Sequence, residues 1–310
     1  EFLGIEFNLS ISNIVFALLL SLIAGLSTGI GSIIAYFIKK PKLSYLSLLL
    51  SFSAGVMLYI SFAEILAKSV LDIGFIASNL SFFLGIGCIL LIDILVPHAY
   101  AEETECSLPE LLQEPPEKYI PASNSQPLQK IQHQKGHGHQ HRHGHQHQIQ
   151  EQLICQEDRN CLMRTGMFVA LGIAIHNFPE GIATFSSGIS GDPSLYIIIT
   201  FAIAIHNIPE GISVSIPIYY ATGSKRRGIY YSMLSGLAEP LGAIIALIVL
   251  LPFISVLLMS SILAFVAGVM VFISLDELLP AAHKFGQEHI VLAGLILGMA
   301  VMVVSLIILP

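Results

Sequence analysis

Along most of this chain apolar residues do not alternate with polar ones; they run in long blocks. Eight stretches of mainly apolar residues fall near 12–38, 44–67, 76–96, 163–186, 195–221, 228–251, 254–280 and 288–309. A helix rising 1.5 Å per residue needs about 20 such residues to cross the hydrocarbon core of a bilayer, and each stretch is long enough. The first is too long for a secretory apolar region and lacks a small-residue cleavage site, so it reads as a span. The pattern stops at Pro97 and resumes at about Met163. The insert holds Pro115, Pro116, Pro121 and Pro127 among many Gln and Glu, has no apolar period, and so cannot bury enough surface to offset its ordering entropy. The expected architecture is all-α and polytopic: helices one to three in residues 1–96, a disordered polar loop in 97–162, and helices four to eight in 163–310, forming one membrane domain.

Composition agrees with lipid as the main solvent. Hydrophobic residues make up 54%, charged residues 11%, and the mean hydropathy is +0.77, which excludes an ordinary soluble protein. Orientation follows from the basic residues, which are retained on the cytoplasmic side of short loops. With eight spans and both termini on the far side, every Lys and Arg except Lys68 falls in a cytoplasmic segment. The loop 97–162 is then cytoplasmic, and the plasma membrane is the expected location. The net charge of −7 says little about partners, and no nucleic-acid partner is expected. Three of the four cysteines, Cys106, Cys155 and Cys161, lie in that loop without paired metal spacing, so no disulfide is assigned. Cys88, within the third span, reads as a packing residue. Gly25 and Gly29 form a small-x-x-x-small pair suited to close packing within the chain or to a homodimer contact.

Two features carry chemistry. The loop contains His133 and then His137, His139, His141, His143, His145 and His147, a tract whose flexible imidazoles can chelate Zn²⁺ weakly without a preformed site. More informative is an internal repeat: Ala174-Ile175-His176-Asn177-Phe178-Pro179-Glu180-Gly181-Ile182 recurs as Ala204-Ile205-His206-Asn207-Ile208-Pro209-Glu210-Gly211-Ile212. With Gly191-Asp192-Pro193 turning the chain between them, the two copies sit on antiparallel helices at one depth, the arrangement by which inverted transporter halves enclose a midplane site. In each copy His and Glu stand at i and i+4, on one helix face, and can share one ion. Each Pro frees the carbonyl four residues earlier, and each Gly admits another helix.

Glu180, Glu210 and Glu239 all fall in mid-span, where an uncompensated carboxylate costs roughly 2.5 to 3.5 kcal/mol even on permissive scales. No Lys or Arg occupies a span centre to pair with them. A bound divalent cation is the first candidate for the missing charge, with protonation of the carboxylates as the alternative when the site is empty.

These residues resemble the ZIP (Zrt/Irt-like) metal transporters, in the branch whose fourth and fifth helices both read His-Asn-x-Pro-Glu-Gly. The resemblance spans the chain outside the loop and includes Gly236-Leu237-Ala238-Glu239-Pro240 in the sixth helix. It implies an inverted-repeat (3+2+3) bundle around a two-metal centre. His176, Glu180 and Glu210 would form the primary site. Asn177, Asn207, Glu210 and Glu239 would form its neighbour, with Glu210 bridging. His206 occupies a position where relatives vary, and Glu64 matches a second-helix position that faces the primary site. Asp93, Asp276, Glu277 and His98, near the cytoplasmic ends of the third and seventh spans, would line an exit path. The resemblance implies alternating access, with helices one, four, five and six moving against the rest and metal as substrate rather than cofactor. Imidazole and carboxylate without thiolate suit Zn²⁺ first, then Fe²⁺, Mn²⁺, Co²⁺ and Cd²⁺. Two other classes compete: an intramembrane metal hydrolase, disfavoured by the lack of His-Glu-x-x-His, and a membrane-anchored metal sensor reading ions through the His tract.

Overall fold

The computed structural model describes residues 11–38, 43–95, 142–189 and 193–308. These residues are helical, without strand, and eight helices are long and apolar enough to cross a membrane: α1 (Ile11–Phe37), α2 (Leu43–Ile73), α3 (Phe75–Leu95), α4 (Leu162–Gly188), α5 (Ser194–Thr222), α6 (Lys225–Val249), α7 (Val256–Phe285) and α8 (Glu288–Ile308). The chain is therefore a multi-pass membrane protein. Its most buried spans are α2, α5 and α7, while α3 and α8 bury about a quarter of their length and turn Leu, Ile and Phe outward. Cys88 on α3 is exposed on this outer face and does not pack inside.

One element departs from the expected loop. Helix α4 continues backward to Arg142, so 142–161 is helical, with Gln, Glu and Leu, good helix formers, extending a helix already nucleated in the membrane. His143, His145 and His147 lie on this extension; His98, His133, His137, His139 and His141 lie outside the described residues. Helices α4 and α5 stay continuous through Pro179, Pro209 and Pro217.

The chain repeats itself beyond α4 and α5. Ala54-Gly55-Val56-Met57-Leu58-Tyr59-Ile60-Ser61 in α2 recurs as Ala267-Gly268-Val269-Met270-Val271-Phe272-Ile273-Ser274 in α7. Each copy then enters a π-helical turn, Ser61–Leu66 and Ser274–Leu278, a local insertion frequent at functional sites. The packing repeats with the sequence. A Cβ on Gly55 would overlap the carbonyl oxygen of Leu295 on α8, and one on Gly268 that of Phe82 on α3. Likewise Gly211 abuts Thr28 O on α1, as Gly181 abuts Glu239 O on α6, and Gly25 and Gly236 press on each other. Matched pairs of this kind are what a two-fold axis relating α1–α3 to α6–α8, and α4 to α5, demands. Gly25 and Gly29 are spent on α6, the latter against Met233, so this pair does not supply a homodimer contact.

These glycine contacts fall within two groups, α1 with α4, α5 and α6, and α2 with α3, α7 and α8. Between the groups, α2 packs on α5 and α7 on α4, and none of these glycine contacts joins one group to the other.

Candidate metal centre

The repeat on α4 and α5 delivers its polar residues to one place. His176, Asn177, Glu180, His206, Asn207, Glu210 and Glu239 are each at most 1% exposed. Because the two helices run antiparallel, His and Glu pair across them and not within one repeat. The Nε2–H of His176 donates to Glu210 Oε2 at 3.0 Å, and that of His206 to Glu180 Oε1 at 3.2 Å. The two bonds are equivalent about the approximate two-fold axis. Position i+4 puts both groups on the facing side of their helix, and the antiparallel neighbour presents the complementary group at that level.

Glu239 enters from α6, accepting from Asn207 Nδ2 at 3.0 Å and from Thr184 Oγ1 at 3.4 Å. Asn207 Nδ2 also donates to Ala24 O at 3.1 Å, and Asn177 Nδ2 to Ser235 O at 3.4 Å. From α2, Ser53 Oγ lies 3.4 Å from Glu210 Oε1 and 3.3 Å from His206 O. Among the described residues no Lys or Arg reaches the three glutamates.

Several buried acceptors are left over: Glu180 Oε2, Asn177 Oδ1, Asn207 Oδ1 and the Nδ1 atoms of both histidines have no partner. A buried polar atom without a partner costs about 1–3 kcal/mol, so five in one cluster favour a ligand that accepts lone pairs. Oxygen and imidazole donors without sulfur fit a borderline divalent cation. As the side chains stand, no three His, Cys, Asp or Glu among the described residues are arranged to hold an ion. The His–Glu bonds themselves occupy the donor atoms, and an ion would have to replace both.

Two contributors escaped the sequence reading. Thr184 stands one turn after Glu180 on the same face, a spacing that could have flagged it. Ser53 adjoins the Ala54-Gly55-Val56-Met57 repeat, so comparison of α2 with α7 would have drawn attention to its surroundings. Glu64 sits half-buried in the π-turn of α2, about 16 Å beyond Ser53 along a helix that rises about 1.5 Å per residue. Glu277, in the π-turn of α7, is close enough to His176, Glu210 and Asp93 to feel their charge. Glu277 and Asp93 are half-buried, and Asp276 is exposed.

The family model described as "ZIP Zinc transporter" matches residues 17–306. Among curated relatives, "Zinc transporter ZupT" of Clostridium perfringens is 46% identical over 305 residues, covering 96% of this chain and 97% of the relative. Proteins of the same description from Campylobacter jejuni and Oceanobacillus iheyensis are 46% and 44% identical, covering 94% and 96% of this chain and 95% and 99% of theirs.

Proposed function

The chain belongs to the ZIP family of metal transporters, and from that premise we propose that it carries Zn²⁺ into the cytosol through the centre formed by α4, α5 and α6. It is a transporter of divalent metal and not an enzyme, and the metal is its substrate. The observation that carries the finer reading is the pair of crossed His–Glu bonds beside buried, unpartnered oxygens. Without metal each histidine gives one hydrogen bond to the glutamate of the other helix, and the same atoms become a ligand set when an ion replaces those bonds.

In this reading His176, Glu180 and Glu210 hold the first ion, His206 assists, and Asn177, Asn207 and Glu239 hold a second that Glu210 bridges. Fe²⁺, Mn²⁺, Co²⁺ and Cd²⁺ suit the same donors less well or with weaker selection. Glu64 receives ions on the outer side. Glu277, Asp93 and Asp276, with His98 of the following segment, pass them to the cytosol. The segment 97–162 faces the cytoplasm of a plasma-membrane protein, and its histidines, His137 to His147, bind metal weakly beside the path. Access alternates as α1, α4, α5 and α6 slide against α2, α3, α7 and α8. Backbone-to-backbone glycine contacts within each group support this division, because they make each group stiff, while none of them crosses the boundary between the groups.

The test is ion entry into proteoliposomes, read with a fluorescent zinc indicator inside. The wild type fills the lumen, as does a chain lacking residues 133–147, while Glu210→Ala does not rise above empty vesicles. Normal filling by Glu210→Ala would remove the assignment.

A further inference from the structure

The approximate two-fold axis pairs α1 with α6, and the sequences follow it: Gly25-Leu26-Ser27-Thr28 on α1 answers Gly236-Leu237-Ala238-Glu239 on α6. The contacts place these residues in equivalent surroundings. A Cβ built on Gly25 lies 3.4 Å from Glu239 Cβ, and one on Gly236 lies 3.0 Å from Thr28 Cβ. Asn207 donates to Ala24 O just before Gly25, and Asn177 to Ser235 O just before Gly236. Thr28 thus stands on α1 where Glu239 stands on α6.

There the likeness ends. On the α6 side a carboxylate is present and engaged by Asn207 and Thr184. On the α1 side Thr28 is fully buried, and its Oγ1 and the Oδ1 of Asn177 have no partner. The usual helical outlet for a Thr hydroxyl, the carbonyl four residues earlier, is Ala24 O, which already accepts from Ser27 and Asn207. The α5 counterpart of Thr184, four residues after Glu210 as Thr184 is after Glu180, is the buried Val214. The α1 side is therefore the two-fold counterpart of the Glu239 side, without its carboxylate and without the hydroxyl that Thr184 supplies there.

We propose that Thr28 is the residue that makes the metal centre one-sided: by placing a neutral hydroxyl where symmetry puts a carboxylate, it confines the second divalent cation to the Glu239 side and excludes a third. Neutral amide and hydroxyl oxygens do not offset the dehydration of a divalent ion at a buried site, whereas a carboxylate does. The inference rests on the two-ion reading above and specifies how many ions the centre takes and on which side.

Counting bound Zn²⁺ in detergent-purified, monodisperse protein by equilibrium dialysis and elemental analysis tests it. The two-ion reading expects two ions for the wild type and one for Glu239→Thr. The proposal expects three for Thr28→Asp, a change of similar side-chain volume, and two for Thr28→Asp combined with Glu239→Thr, the lost subsite having moved across the axis. Thr28→Val, which keeps the shape, retains two. A Thr28→Asp protein that binds no more than the wild type, or a double variant that binds no more than Glu239→Thr, overturns the proposal and leaves the reading standing. Should Thr28→Asp aggregate, the double variant, whose formal charge matches the wild type, decides alone. Fewer than two ions on the wild type overturns both.

Discussion

At Glu210 three requirements meet in one side chain. It accepts from His176 on α4, lies against Ser53 on α2, and belongs to α5, so it joins the two helices of the centre to the group of helices outside it. The Ser53 contact crosses the boundary at which sliding is proposed, and it is long, so its loss should act on movement more than on binding. Ser53→Ala is expected to leave the number of bound ions unchanged and to raise the turnover of zinc entry about two- to tenfold, the range for an ordinary hydrogen bond, since this one is long. Initial rates in vesicles at saturating Zn²⁺ check this; an unchanged rate would show that the contact does not restrain the cycle. Glu210 itself was readable from its motif, whereas its bond to Ser53 was not, because residues so far apart in sequence meet only when α2 packs on α5.

Helices here are positioned by what they lack. Where Gly211 meets Thr28 O, and Gly181 meets Glu239 O, backbones approach more closely than any side chain permits, and this proximity brings α1 and α6 to the flanks of the centre. Gly211→Val must push α1 from α5, at a cost of roughly 1–3 kcal/mol or more for an overfilled core. The expected result is a lower thermal midpoint in detergent together with loss of zinc binding, while the same change at Gly87, which has open space around it, leaves both intact. Equal stability of the two variants would count against close packing as the organiser of the site. The π-turns in α2 and α7 belong to this scale as well: the spans were evident from hydropathy, yet nothing in the apolar pattern marks where a helix takes one extra residue per turn.

Viewed as a whole, the molecule is two nested repeats about one axis, with α4 and α5 at its heart and α1–α3 set against α6–α8. The crossed His–Glu bonds, the paired glycine contacts and the two π-turns all obey that axis, and Thr28 with Glu239 breaks it. If transport requires the two helix groups to slide, a disulfide joining cysteines introduced on touching faces of α2 and α5 will stop zinc entry under oxidation and restore it on reduction. A cross-link between α1 and α5, inside one group, will leave entry unchanged. Entry that persists through an α2–α5 cross-link would argue for a path that opens without relative motion.

Sequence alone determined the solvent, the number of spans and which polar residues lie buried between them, because apolar run length and buried charge without a basic neighbour are local properties that lipid makes costly to violate. It also exposed the α4–α5 repeat, whose motif is compact. The tertiary structure decided which atoms meet: that each histidine serves the glutamate of the other helix, that Ser53 touches Glu210 and Thr184 touches Glu239, and that the fourth helix reaches back to Arg142. Those outcomes depend on antiparallel register and on backbone contact between glycines distant in the chain, and such geometry leaves no periodic trace in any one segment.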